Sequence, residues 1–228
     1  MRMRIISVYF KCLYSSSEEV VAVAYDSLKA TLAQQSKLPK DLLRSGLQPI
    51  LMTLADRHRL TSAGLDGLAH LLQLLTNYFK VEIGIKLLDH LSALAEPAML
   101  RRAAAGPLDT HEKLRILTAI VRVFHLLPDT AYQFLPRLLV YVAEIESHLR
   151  RSGPTPLTDM LTLFLDHFSE HTVRYYFESD GHVRFTDVLQ NPRLFRLLRL
   201  ALQSPRGASL RRELSRRAET LFLPLLSD

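Results

Sequence analysis

The chain has 228 residues, 48% of them hydrophobic, a mean hydropathy of +0.06 and a formal net charge of +6. That composition can bury a sizeable core and excludes a disordered chain. A single cysteine, Cys12, excludes an internal disulfide framework and fits a reducing compartment.

Residues 1–16 open with MRMRIISVYFKCLY, basic residues ahead of an apolar patch. A signal peptide needs an unbroken apolar core and a small-residue cleavage site; Lys11 interrupts this core and no such site follows. The segment stays unassigned, either the remaining half of an upstream helix or an artefact of a wrongly chosen start. Nowhere does the chain show about 18 apolar residues free of charge, so no membrane span is expected.

Ser16 and Glu19 fit a capping box, which predicts a helix from near Ser17. Val20, Val23, Ala24, Ser27, Leu28 and Leu32 form its apolar face, and Lys37, Leu38 and Pro39 break it. A second helix is predicted from about Lys40 to Asp56, with Leu43, Leu47, Ile50, Leu51 and Leu54 inward and a kink at Pro49.

Thr61 to Ala95 is the most regular stretch. Leu65, Leu68, Leu72, Leu75 and Phe79 recur at three or four residues, as does a second run from Val81 through Ile85, Leu88, Leu91 and Leu94. Leu71, Leu74, Tyr78 and Leu87 widen the apolar surface. Two such runs with almost nothing between them predict an antiparallel helical hairpin, which needs a neighbour on each side. Gly64, Gly67 and Gly84 read as places where neighbouring helix backbones come close.

Glu96 to Pro107 is rich in breakers and is expected to hold one helical turn. Asp109 and Glu112 mark a helix start, with Leu114, Leu117, Ile120, Val121, Phe124 and Leu127 running to Pro128. Its partner spans about Thr130 to Arg150, with Tyr132, Leu135, Leu138, Leu139, Val142, Ile145 and Leu149 inward and a kink at Pro136. After the break at Gly153 and Pro154, Thr155 and Pro156 fit an N-cap and first turn. Leu157, Met160, Leu161, Phe164, Leu165 and Phe168 carry that helix, which should end near Ser169. Shorter elements follow at His171 to Glu178, Val183 to Gln190 and Pro192 to Gln203, then one last helix from Arg206 to Leu226 ended at Pro224.

Hairpin starts near Ser17, Thr61, Asp109 and Thr155 are spaced by about 43 to 48 residues, the period of two-helix HEAT-type repeats. The fold class expected is therefore all-α, an α-solenoid of HEAT-type antiparallel hairpins. Residues 17–152 form its regular part, and 153–228 are less regular and end in an arginine-rich tail.

Few groups suggest chemistry. His167 to His171, HFSEH, matches the H-x-x-E-H string of inverted zinc metalloproteases, in which two histidines one helical turn apart hold zinc. A helix ending near Ser169 spoils that geometry, and Glu178 and Asp180 lack the spacing of a third ligand, so surface histidines are the better reading. His70, His90 and His125 read as packing histidines, and Cys12 has no His/Asp setting for a catalytic thiol. Asp41, Asp56, Glu82, Asp89 and Glu96 converge on no cleft. With no Gly-rich phosphate loop or nucleophile elbow, no catalytic, cofactor-binding or metal residue is assigned, and neither a cofactor nor a small-molecule substrate is expected.

From Asn191 onward eight arginines face only Glu213, Glu219 and Asp228, which places +5 of the +6 in the tail. Arg193, Arg196 and Arg199 fall on one helix flank opposite Leu194, Leu197, Leu198 and Ala201, and Arg211, Arg212, Arg216 and Arg217 extend the basic character. The favoured reading is a solvated face or pairing with acids of an adjacent repeat; contact with acidic partners or nucleic acid is the other. No RNA or DNA motif accompanies the arginines, so direct nucleic-acid binding is not expected.

GLDGLAHLLQLLTNYFKVEIGIKLLDHL, flanked by SEEVVAVAYDSLKATLAQQSKLPKDLLRSGLQPILMTLADRHRLTSAG and followed by EKLRILTAIVRVFHLLP, resembles the helical-repeat region of the transformation/transcription domain-associated protein family. These are very large pseudokinases related to the phosphatidylinositol 3-kinase-like kinases. The resemblance covers roughly Glu18 to Leu214, densest between Pro39 and His90 and looser after Gly153. It implies a small piece of a scaffold subunit, nuclear, within histone-acetyltransferase coactivator complexes of the SAGA type, with the other subunits and transcriptional activators as partners. Periodicity alone supports only an extended, non-catalytic interaction surface, for which a stand-alone helical-repeat adaptor is the alternative.

Overall fold

The structure is a computed structural model that describes residues 2–15, 17–34, 47–48, 51–75, 79–179, 182–183 and 187–225. It divides into two compact units, Met1–His90 with Leu126–Pro128, and Leu91–His125 with Asp129–Asp228. The class is the all-α one predicted. The described residues add only a two-residue antiparallel ladder, β1 Glu178–Ser179 against β2 His182–Val183, which the sequence did not suggest.

In the first unit, α1 (Arg2–Cys12) packs on α2 (Glu18–Gln34), and α2 on α3 (Ser62–Leu75). The segment left unassigned on sequence is thus a helix with a buried seam. Ile6, Phe10 and Leu13 are spaced by four and three residues and lie inside, whereas Lys11, which seemed to interrupt an apolar core, sits on the solvent side. Ser17 Oγ accepts from Val20 N at 3.4 Å at the head of α2; Ser16 of the predicted capping box lies outside the described residues.

The buried face of α2 is narrower than predicted. Ala24 and Leu28 are fully covered, but Val20 and Val23 are exposed, Val23 at 65%. Val23 is rotated by about 100° from Ala24 around the helix, off the side that meets its neighbours. Of the predicted Lys40 to Asp56 helix, residues 47–48 and 51–55 are helical, with Leu54 buried and Leu51 exposed against expectation. Leu43, Ile50 and the kink at Pro49 lie outside the described residues, as do the break at Lys37 to Pro39 and Tyr78.

Thr61 opens α3 as predicted, its Oγ1 accepting from Gly64 N at 3.0 Å. Leu65, Leu68, Leu71, Leu72 and Leu75 are buried, a wide stripe rather than a line. Gly67 does serve a close approach, though to the turn after α1 rather than to a helix. A Cβ there would lie 2.5 Å from the Tyr14 ring and 3.0 Å from the Leu13 carbonyl oxygen. In α4 (Ile83–Leu94) the buried face is Leu87, Leu88 and Leu91; Ile85, predicted inward, is 45% exposed.

The second unit begins with α5 (Pro97–Ala104), two turns of helix where one was expected. Pro97 starts it at a position that needs no N–H, and Met99, Leu100 and Ala103 give it a buried edge. The helix α6 (Glu112–Val123) buries Leu114, Leu117, Ile120 and Val121 as predicted. Residues Asp129–Phe134 are a 3₁₀ stretch leading into α7 (Leu135–Leu149). Pro136 therefore does not kink a long helix. It stands in the first turn of α7, where its missing N–H costs nothing.

Thr155 caps α8 (Pro156–His167) with a reciprocal pair of bonds: its Oγ1 accepts from Thr158 N at 3.2 Å, and Thr158 Oγ1 accepts from Thr155 N at 2.8 Å. Beyond the break at Phe168 come α9 (Ser169–Phe177), α10 (Asp187–Gln190), α11 (Pro192–Gln203), α12 (Ala208–Arg216) and α13 (Ala218–Leu225). The single last helix predicted is thus two, divided at Arg217, and Pro224 falls within the second.

Helices that are not consecutive in sequence stack on each other here in two rows: α5 on α7 and α7 on α11, and α6 on α8 and α8 on α12. Such a pair of rows is how helical repeats share one core between neighbours. Phe124 anchors it, edge-on to Phe134 at 5.8 Å and to Phe164 at 6.1 Å between ring centres.

Candidate functional site: an arginine-rich interaction surface

The basic tail is ordered by its apolar half. Leu194, Leu197, Leu198 and Ala201 of α11 are buried as predicted, which fixes the arginine flank outward. Asn191 caps the helix, its Oδ1 accepting from Arg193 N at 3.0 Å and Leu194 N at 3.3 Å.

Arg196 turns inward to a buried acid that sequence reasoning did not single out. Glu146, on α7, is only 3% exposed. Arg196 Nη1 donates to its Oε2 at 3.4 Å and the Thr155 hydroxyl to its Oε1 at 2.5 Å. The other Arg196 nitrogen, Nη2, donates to the carbonyls of Arg151 (2.6 Å) and Gly153 (3.2 Å). Arg151 in turn donates to the carbonyls of Ala104 (3.1 Å) and Gly106 (2.9 Å). Burial raises the Glu146 carboxyl above the ordinary glutamate range, opposed by the Thr155 hydroxyl and by Arg196. This node ties the α7–α8 turn to α11 and to the end of α5. A glutamate in the last turn of a helix carries no such signal in sequence; only the partner some 50 residues on gives it meaning.

The remaining tail arginines separate into two groups. Arg216 binds Glu213 through two bonds of 2.9 and 2.7 Å. Arg217 reaches Glu213 at 2.6 Å, Glu178 at 2.7 Å and Glu170 at 3.4 Å, joining α12 to α9 and β1. The Arg216 hydrogen bonds, with Arg217, hold the Glu213 carboxyl below its usual range. Arg211 donates to the carbonyls of Leu202 and Ser204 at the end of α11. Arg193, Arg199, Arg206 and Arg212 are exposed and have no ionic partner among the described residues. Phe195, which stands between Arg193 and Arg196, is 47% exposed and gives this flank an aromatic face.

The HFSEH string does not form one helical face. Phe168 breaks the backbone with φ −102° and ψ 42°, so His167 ends α8 and His171 belongs to α9. Tyr132, predicted inward, is instead exposed and stacks on His171 at 3.9 Å between ring centres. Glu170 pairs with Arg174 at 3.0 Å. Among the described residues no three His, Cys, Asp or Glu side chains gather as metal ligands would; Asp180 and Asp41 lie outside them.

His125 is a packing histidine. Burial pushes its pKa down to about 4, while a 2.5 Å bond between Nδ1 and the Arg122 carbonyl works the other way. His90 Nε2 meets the Leu54 carbonyl at 2.8 Å, and the His70 ring lies edge-on to Tyr25 at 5.4 Å. Asp56 caps the turn Arg57–Arg59, and Cys12 is a half-buried free thiol.

The first unit holds a groove of about 680 Å³, counting its open mouth, between residues 53–68 and Tyr14. Leu54, Leu60, Leu65 and Leu68 make it apolar and Arg59 lies at its edge. The Tyr14 hydroxyl is buried there without a hydrogen-bond partner among the described residues, and burial pushes its pKa up.

The family model for the Tra1 HEAT repeat ring region matches residues 1–227, including the first sixteen, which the motif resemblance left out. The SAGA complex/NuA4 acetyltransferase complex subunit Tra1 of Schizosaccharomyces pombe is 44% identical over 195 residues, 84% of this chain and 5% of that protein. Its counterpart of the same description in Saccharomyces cerevisiae is 42% identical over 175 residues, 77% of this chain and 5% of that protein. The human transformation/transcription domain-associated protein is 23% identical over 192 residues, again 77% of this chain and 5% of its own length. The chain thus spans about one-twentieth of the relatives it matches.

Proposed function

This chain belongs to the Tra1 HEAT repeat ring region family, and from that premise we propose that it is a non-catalytic scaffold segment of a nuclear transcription coactivator subunit. The observation that carries the reading is the 44% identity to a relative described as a subunit of the SAGA and NuA4 acetyltransferase complexes. Stacked rows of helices suit it physically, because each hairpin shares its core with its neighbours and leaves an extended surface for other subunits.

On this reading the segment contributes to complex assembly and to recruitment by transcriptional activators. Apolar side chains of an activator would enter grooves between helices, and its acidic residues would meet the basic rims. The test is to tag the chromosomal locus and to read the size, companions and acetyltransferase activity of the purified product. A very large polypeptide accompanied by histone-acetyltransferase activity is the expected result. A product of about 26 kDa without that company would overturn the reading in favour of a stand-alone adaptor. Deleting this segment should weaken activator binding and loosen the complex; unchanged activator binding would remove activator recruitment from it.

A further inference from the structure

Four arginines line one cleft of the second unit. Arg150, Arg151, Arg193 and Arg196 surround about 680 Å³ of space, counting the open mouth, with Glu146 as the acid among its lining residues. Four cations against one carboxylate leave a surplus of three positive charges in a recess, where low-dielectric walls concentrate the field.

Two of the four are engaged, Arg196 with Glu146 and carbonyls and Arg151 with carbonyls. The other two, Arg150 and Arg193, are exposed, and their side chains have no partner among the described residues. Arg150 is also the one non-glycine residue with a positive φ among them, at φ 51° and ψ 32°, closing α7. That helix-end conformation favours glycine, which lacks the Cβ that clashes there. A long cation kept at the site against this steric preference, on the lip of a cleft with a second free arginine, is what a ligand contact would explain.

We infer that the cleft receives a single phosphorylated side chain, phosphoserine or phosphothreonine, presented by a segment of a partner protein. A phosphoryl group offers three acceptor oxygens and close to two negative charges, which two free guanidinium forks can share. A carboxylate has two oxygens and is satisfied by one fork. A nucleic-acid strand presents phosphates in series and needs a row of free cations, whereas this recess holds two. The inference does not depend on membership of any complex.

The test uses the full 228-residue chain and three fluorescein-labelled peptides, Gly-Ala-Xaa-Ala-Gly, in which Xaa is phosphoserine, glutamate or serine. Binding is followed by fluorescence anisotropy at low salt. The phosphoserine peptide should bind roughly tenfold more tightly than the glutamate one, and the serine one should not bind measurably. Arg150→Gly and Arg193→Gln should each weaken phosphopeptide binding by about tenfold. Arg150→Gly should leave the melting temperature unchanged or higher, because glycine relieves the left-handed position, so its loss of binding would not be a loss of folding. Equal affinity for the phosphoserine and glutamate peptides, or unchanged affinity in both variants, would overturn the inference. So would tighter binding of a single-stranded DNA of about 20 nucleotides that is lost in the same variants, which would assign the cleft to nucleic acid.

Discussion

Replacing Arg196 by methionine keeps most of its aliphatic bulk and removes its charge. Glu146 would then be left 3% exposed with only the Thr155 hydroxyl bonded to it, and the carbonyls of Arg151 and Gly153 would lose their shared donor. Stranding a buried charge by deleting its partner destabilises by about 3 to 5 kcal/mol. Here the Arg196 side chain is 24% exposed, so water can partly replace it, and the expected loss is about 2 to 3 kcal/mol. Urea unfolding of the chain, followed by circular dichroism, measures it. Glu146→Gln alone and the double variant complete a cycle, and the double variant should recover about 1 to 2 kcal/mol relative to the sum of the singles. The sign with pH is fixed. Without Arg196, burial lifts the Glu146 carboxyl further, the folded chain holds the proton more tightly, and the penalty shrinks as pH falls. Additivity within about 0.5 kcal/mol, or a penalty that grows as pH falls, would refute the coupling between the two side chains.

His125 should make stability pH-dependent. Its folded pKa of about 4 lies below the ordinary 6.5, so its contribution is complete above pH 6.5 and falls away as pH drops toward 4, by about 3 kcal/mol in all. Urea midpoints over that range should fall less steeply in His125→Gln than in the parent. Gly207→Ala would drive a Cβ into the Ala201 carbonyl oxygen, and since backbone must shift to make room, calorimetry should show a loss of about 2 kcal/mol. Phe10→Ala should cost about 3 kcal/mol in the same urea assay if α1 is part of the folded core, as its burial indicates; a change within about 0.5 kcal/mol would mean that α1 packs on nothing.

Helix positions were largely legible in sequence because a 3.6-residue period writes itself into the spacing of leucines. Thr155 was legible as a cap, and Thr61 as the start of a hairpin, because a hydroxyl next to an apolar run satisfies helix N–H groups locally. Faces at the edges were misread for a common reason. Val20, Val23, Ile85 and Tyr132 fit the period, but nothing in a one-dimensional pattern says which neighbour covers each side. Pro136 was read as a kink because the preceding 3₁₀ stretch also carries helix-like spacing, so the true start of α7 was hidden.

The arginines show the same division. Their number and helical flank were plain, but which were engaged and which free depended in large part on acids brought from other elements. Glu213 takes up Arg216 from within α12, but Glu170 and Glu178 reach Arg217 from α9 and β1, and Glu146 reaches Arg196 from α7. The cleft that leaves Arg150 beside Arg193 joins residues 43 apart in the chain.

By itself the amino-acid sequence determined the all-α class, the repeat period and the family, because these depend on local periodicity and on runs of particular residues. The tertiary structure decided that the opening segment is a packed helix, that Glu146 is a buried acid, and that two arginines without an ionic partner among the described residues share its cleft. Those outcomes depend on which surfaces exclude water from which charges, and burial is a property of neighbours in space, which spacing along the chain does not encode.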